Sequence, residues 1–473
     1  MATKTPTKTP PKTGESPTAQ RQSGKARAIA FLRVFIGTMW IFEITVGHNW
    51  KIGGLGSGAH EGWVGAGAGD QIREYVETAV ADGTWAWAAW FMESVVAPNA
   101  VLFSYVTVIA QVLFGVFLIA GFAVRPTAVV ALTFDLFIMM FGNSRIPPFF
   151  TAAHLFVLFT GAGQYYGVDG WLRVKLHGVK NGAARLGGWL IDLPIRLSPG
   201  LQNAVLASTA LFSVYFLMNV AMRETPRMNM VAMDIGIILL IVTLGLIAKR
   251  FTQDHLAIVI AGLQVFIGYK FLHEIWVRTG AGNNGLPGWA PVDAQRELFE
   301  KLSDNHYGVV SAVIDSAVLP ILGFWVIVFG VVQFAVGAAL IVGYRTRLAA
   351  SVGLVYLAVL IPLGFNRYAP FVMGLLIVAW ALDGRRVLGV DAARDSDRTL
   401  DLPLPSRRQP LLVVTVLVAV VAVALVIAVF ATGGITPDAY IDDLGAMTAA
   451  LVAIITGPLA VAGWLKLRET VTA

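Results

Sequence analysis

The chain of 473 residues contains no cysteine. Disulfides, thiolate nucleophiles, cysteine-ligated iron–sulfur clusters and c-type haem attachment are therefore excluded. Charge is scarce too: Asp, Glu, Lys and Arg make up 14% of the residues, against 56% hydrophobic. An ordinary soluble domain carries about 25% charged residues, so a soluble globular chain is excluded as well. A Gly-rich phosphate loop, a zinc-binding motif and a hydrolase triad are also missing. The net charge of +6 does not point to nucleic acid, because the basic residues lie in short loops between apolar runs. There they set membrane topology.

What is present is a series of apolar runs of about 20 residues, the length of a transmembrane helix. They predict an all-α polytopic integral membrane protein with about twelve spans, near 27–47, 100–121, 124–141, 149–166, 203–222, 229–248, 256–277, 316–342, 347–363, 369–383, 410–431 and 444–465. Residues 1–26 are polar and proline-rich and read as a disordered tail, not as a cleavable signal peptide. With that tail in the cytoplasm, Arg125, Arg173, Lys175, Lys249, Arg250, Arg345 and Arg347 all fall on the inner side, and far fewer basic residues remain outside. The bias predicts a multi-pass protein of the plasma (inner) membrane with both termini cytoplasmic.

The chain is also duplicated. Val34-Phe35-Ile36-Gly37 with Glu43 six residues on returns as Val265-Phe266-Ile267-Gly268 with Glu274. Residues 93–169 then align with 315–391 without a gap, matching Pro98 to Pro320, Gln111 to Gln333, Gly115 to Gly337, Gly121 to Gly343 and Arg145 to Arg367. Two four-helix repeats follow, at 27–174 and 253–392. Equivalent helices are six spans apart, so the repeats share one orientation, about an axis along the membrane normal. Residues 175–252 join them with two spans and a basic stretch, 175–202, of interfacial character. Residues 393–473 supply a linker and the last two spans. Two long outer loops, 48–99 and 278–315, carry amphipathic stretches at Asp70–Ala81 and Asp293–Leu302. Trp85, Trp87 and Trp90 in the first read as an aromatic belt.

Candidate chemistry converges on the outer side. Glu43 and Glu274 lie near the outer ends of their helices, Glu93 and Asp315 open the second helix of each repeat, and Arg145 and Arg367 occupy short outer turns. An arginine fork suits an anion, and a carboxylate suits proton transfer. The competing explanation is charge neutralisation, with Glu43 paired to Arg145 and Glu274 to Lys270 or Arg367. His48 and His273 flank the acids but are not equivalent by repeat, so a bis-histidine haem is not expected. His154 lies within the fourth span. Gln111 and Gln333 read as interhelical hydrogen-bonding residues, and the paired glycines as packing sites. Asp135, deep in the third span, has no acidic counterpart in the second repeat.

Both repeats resemble the DoxX/DoxD family of four-helix membrane proteins. The resemblance rests on the Arg33-Val34-Phe35-Ile36-Gly37…Glu43 opening helix. It rests as well on the second helix from Gln111 to Arg125, repeated from Gln333 to Arg347. Glutamine at the start of that second motif is a departure, since the family commonly has glutamate there. The long tryptophan-bearing outer loop resembles the DoxD branch, the integral subunit of thiosulfate:quinone oxidoreductase. The resemblance implies oxidation of thiosulfate to tetrathionate, membrane quinone as electron acceptor, and a partner subunit or peripheral enzyme on the outer face. In that reading Arg145 and Arg367, with His48 and His273 nearby, bind the anion, while Glu43, Glu274, Glu93 and Asp315 handle protons. The alternatives are a proton-coupled small-molecule transporter and a non-catalytic scaffold for a partner enzyme.

Overall fold

The computed structural model describes residues 17–45, 62–143, 146–177, 182–193, 198–220, 225–250, 254–278, 292–304, 308–361, 369–382, 389–390 and 408–431, with isolated positions between and beyond them. His48, Arg145, Arg367, Asp391, the first sixteen residues and nearly all of the twelfth expected span lie outside the described residues. Among the described residues the fold is helical, without strands. Six helices are long and apolar enough to cross a bilayer: Gly24–Thr45, Ala86–Ala120, Pro199–Val220, Arg227–Ala248, His255–Glu274 and Gly308–Val342. Shorter apolar helices lie among them. The protein is an all-α polytopic membrane protein.

Its surface is inverted relative to a soluble protein. Leu102, Ile109, Leu211, Phe212, Ile327 and Val331 are exposed, whereas Arg33, Asp135, His154, Asp234 and Lys270 are buried. Lipid requires this arrangement, since charge is tolerated only where protein surrounds it.

The first helix, α1 (Pro17–Thr45), begins before the expected start at 27. Proline suits a first helical turn, because its missing N–H has no partner there. In the long loop after α1, α2 (Asp70–Ala81) forms on the expected amphipathic stretch. Then α3 (Ala86–Phe91) runs through a π turn at Met92–Val96 and a 3-10 turn at Ala97–Asn99 into α4 (Ala100–Ala120). Pro98 causes the interruption: it cannot donate a helical hydrogen bond and its ring crowds the preceding turn. Glu93 therefore lies inside a π turn of a helix that began at Ala86, and does not open that helix. The belt expectation also needs correction. Trp85 is 1% exposed and packs edge-on against Phe216 at 5.2 Å, while Trp87 and Trp90 face outward.

Gly121, at φ +71°, ends α4 and turns the chain into α5 (Val124–Met140). After α6 (Pro147–Thr160), the basic stretch forms α7 (Val168–Leu176) and α8 (Gly182–Asp192). α8 buries Ala184 and Ile191 and leaves Arg185, Leu186 and Trp189 exposed, the pattern of a helix lying at an interface. A hairpin of α9 (Pro199–Val220) and α10 (Pro226–Ala248) leads to α11 (His255–Arg278).

The later elements repeat the earlier ones. Following α12 (Val292–Asp304), α13 (Gly308–Val313) passes through a π turn at Ile314–Val318 and a 3-10 turn at Leu319–Ile321 into α14 (Leu322–Val342). Pro320 recreates the interruption, Asp315 takes the place of Glu93, and Gly343 at φ +68° caps the helix as Gly121 does. α15 (Thr346–Leu360) and α16 (Ala369–Ala381) complete the second unit, and α17 (Arg408–Ala431) follows.

Within each unit the opening helix runs along the second, α1 on α4 and α11 on α14. Glycine lets them touch: a Cβ on Gly37 would meet the Gly115 carbonyl at 2.8 Å, and one on Gly268 the Gly337 carbonyl at 2.6 Å. Between units, α1 packs on α16 and α11 on α6. The equivalent residues Phe149 and Phe371 stack at 6.2 Å there, joined by Phe150 and Phe266 at 5.1 and 5.8 Å.

Candidate functional site

Two polar clusters and one crevice stand out in this apolar interior, and α6 is next to all of them. On one face of α6, His154 reaches Asp135 of α5, with Nδ1 2.7 Å from Oδ2. Trp40 of α1 donates its indole N–H to His154 Nε2 at 3.0 Å. Asp135 and His154 are 0% exposed and Trp40 is 1% exposed. Indole is a donor only, so Nε2 must offer its lone pair, and the imidazole proton must sit on Nδ1, pointing at the carboxyl. The chain of donation thus runs Trp40 to His154 to Asp135. Both ring nitrogens of His154 are engaged. Oδ1 of Asp135 has no hydrogen-bond partner among the described residues. Aromatic rings close the site, with Trp40 stacked on Phe150 at 4.2 Å and flanked edge-on by Phe114 and Phe134.

The second cluster joins α10 to α11. Lys270 donates to Asp234 Oδ1 at 2.8 Å, and the Tyr269 hydroxyl donates to the same oxygen at 2.9 Å. The Lys270 ammonium also stands 5.2 Å from the Phe149 ring centroid, a cation–π contact with α6. Glu274, one turn C-terminal to Lys270 on α11, acts electrostatically on both Asp234 and Tyr269. Charge neutralisation would pair Glu274 with Lys270 or Arg367, and Arg367 lies outside the described residues. The ion-pair partner of Lys270 is Asp234 of the linking hairpin, a residue that sequence reading did not single out.

About one helical turn from this pair a crevice of about 280 Å³ opens between α6, α10 and α11. Leu155, Phe156, Ile238, Ile241, Leu263 and Phe266 give it apolar walls, and Lys249 and His255 stand at its far end. Helical spacing fixes the relation between crevice and cluster. Asp234 is one turn before Ile238 on α10, and Lys270 one turn after Phe266 on α11. The ion pair therefore lies about one turn beyond the apolar lining, and Lys249 and His255 stand at the other end.

A third polar group ties down the rim that holds α7 and α8. Asp169 accepts from the backbone N–H of Ala123 at 2.7 Å and of Val124 at 3.0 Å, capping α5 from a distance. Arg33 donates to the Tyr166 carbonyl at 3.2 Å and lies against Gly121 and Gly167. Burial pushes the Asp169 carboxyl above its ordinary value, against the two N–H bonds and the Arg33 and Arg173 charges. The opposite rim is closed by Arg227, which donates to Asp82 at 2.9 Å and to the Gly142 carbonyl at 2.9 Å.

Among the candidate site residues, Glu43 and Glu274 are half-buried on α1 and α11, and His273 is buried. Glu93 and Asp315 are exposed on the two π turns, where Asp315 accepts from Ser303 of α12 at 2.7 Å. Residues 29–193 match the family model described as TQO small subunit DoxD. No curated protein and no solved structure matches the chain. The matched stretch holds Trp40, Asp135 and His154, whereas Asp234 and Lys270 fall beyond it.

Proposed function

We infer, from the match of residues 29–193 to the DoxD family model, that the chain is the membrane subunit of a sulfur-compound:quinone oxidoreductase. A thiosulfate-like anion is held at the outer face by Arg145 and Arg367, and its electrons pass to membrane quinone. Both termini are cytoplasmic, in the plasma membrane. The observation that carries the reading is the crevice between α6, α10 and α11. A quinone needs apolar walls for its isoprenoid tail and a few placed donors for its carbonyls. The crevice offers the first, and Lys249 and His255 in its lining offer the second.

Proton balance supports the same placement. Joining two thiosulfates through a new S–S bond releases two electrons and no proton. Reducing a quinone to a quinol takes up two electrons and two protons. Protons must therefore reach the quinone through protein groups, and we assign that role to Tyr269 and Asp234, hydrogen-bonded to each other about one turn from the crevice, with Glu274 acting on both. Glu43, Glu93 and Asp315 serve proton exchange nearer the outer surface. The sequence has no cysteine to serve as a redox group, and we assign the sulfur half-reaction to a partner subunit at that face.

Filling the crevice tests the reading. Gly262 lines it, and Gly262→Leu is expected to leave the fold intact while weakening binding of a quinone analogue at least about tenfold, on the order of 1.4 kcal/mol. Unchanged thiosulfate-dependent quinone reduction by that variant, purified with its partners, would sink it. The two buried polar clusters favour proton-coupled transport as a second reading. Proton-driven uptake by proteoliposomes, lost in Asp234→Asn, would separate the two.

A further inference from the structure

The trio Trp40, Asp135 and His154 is not required to pack a unit of this kind, because the second unit is packed without it. The residues at the equivalent positions are Phe271, Leu357 and Leu376, all buried. The same three helices thus meet around an apolar core in one unit and around a carboxyl and an imidazole in the other. A carboxylate deep in a membrane is costly, and an apolar set of similar volume is often neutral or stabilising by comparison. Packing alone gives no reason for the polar trio.

Its geometry gives one. Trp40 takes the Nε2 lone pair, so His154 keeps its proton on Nδ1 and has no free nitrogen to accept another. That leaves Asp135. Its Oδ2 is committed to His154, and Oδ1 is buried with no hydrogen-bond partner among the described residues. A proton can join Oδ1 or leave it without disturbing any bond in the chain of donors. Thr151, the other polar neighbour, already donates to the Pro147 carbonyl at 2.9 Å. Of the elements packed on α5, α6 presents Thr151 and His154 to Asp135, α4 and the turn at Ala162–Gln164 carry no charged residue, and α8 carries Asp192 and the exposed Arg185.

We propose that Asp135 is a proton-holding site of the first unit, with His154 fixed in one tautomer by Trp40 so that the carboxyl alone gains and loses the proton. The exchange is a simple one, carboxylate plus proton giving carboxylic acid at Oδ1. It needs no oxidant or reductant, and it does not depend on which molecule fills the crevice on the other face of α6. His154 and Trp40 are positioning residues in this arrangement.

The test is infrared difference spectroscopy between two pH values, on the full chain in phosphatidylcholine nanodiscs, in H2O and in D2O. The wild-type protein is expected to show a carboxylic C=O band that shifts in D2O and disappears in Asp135→Asn. Trp40→Phe removes only the indole donor, and is expected to shift the band without abolishing it. Should Asp135→Asn fail to fold, the variant W40F/D135L/H154L carries the test, because it installs the packing that the second unit already uses. It is expected to fold and to lack the band. Identical difference spectra for the wild type and this triple variant would overturn the proposal, since Asp135 would then keep one protonation state throughout.

Discussion

Lys270 and Asp234 are buried together at 2.8 Å, with side-chain exposures of 5% and 0%. A pair of this kind contributes little net stability, because desolvation offsets most of the attraction, yet removing one member strands the other. Lys270→Met is therefore expected to lower stability by about 3–5 kcal/mol. The double variant D234L/K270M is expected to lie close to the wild type. Thermal unfolding in detergent, read against the two single variants, checks both. Gly121 makes a different residue-level case. It sits at φ +71° and a Cβ there would fall on the Arg33 guanidinium. Gly121→Ala is expected to cost about 1–2 kcal/mol from the left-handed backbone alone, plus the displacement of Arg33, with the same readout. What the sequence reveals at this scale is uneven. Asp135 and His154 are visible as peculiarities of the first unit because the repeat supplies a control at each position. Their bond is not visible, nor is the partnership of Lys270 with Asp234. That pair crosses from a repeat to the linking hairpin, and nothing in the pattern says which face of α10 meets α11.

Helices in a membrane gain little from apolar burial against one another, so close backbone contact and interhelical hydrogen bonds decide how they pair. The α1–α4 and α11–α14 crossings follow that rule with glycine on both sides of each contact. A Cβ on Gly37 would press on the Gly115 carbonyl and the Ile119 amide, each at 2.8 Å. Gly37→Ala is expected to destabilise by about 1–3 kcal/mol, the range for overpacking, and Gly268→Ala by a similar amount. Unequal losses in thermal unfolding, with one variant unaffected, would show that the two crossings are not equivalent. These glycines are readable in advance because the repeat brings each back in the same setting. The π turns are not. Pro98 and Pro320 look like helix starts in sequence, since proline suits a first turn, but apolar residues on both sides keep the chain helical through a widened turn. Glu93 and Asp315 are carried into that turn as a result, and Trp85 is drawn under the helix onto Phe216.

At the scale of the whole molecule, the spans are the most legible feature, because lipid leaves the backbone no option but to pair within helices. The contact between the units is less so: Phe149 and Phe371 are ordinary phenylalanines until α6 and α16 are seen to meet. Orientation is a further inference from charge and can be tested directly. Arg125, Arg173, Lys175 and Arg185 gather on the rim where Asp169 caps α5 and α8 lies, and the positive-inside rule puts such a rim in the cytoplasm. The α2 helix stands in the loop at the other end of α1. Because the chain has no cysteine, one introduced thiol reports without background. Glu77 of α2 and Arg185 of α8 are both exposed, so cysteine at either is open to reagent on its own side of the membrane. Glu77→Cys is expected to react with a membrane-impermeant maleimide in intact cells, and Arg185→Cys only after permeabilisation. The opposite pattern would turn the protein over and move Glu43, Glu274 and the outer-turn arginines to the cytoplasmic face. Capture of an external sulfur anion would then be ruled out, while the crevice, reached from within the bilayer, would be unaffected.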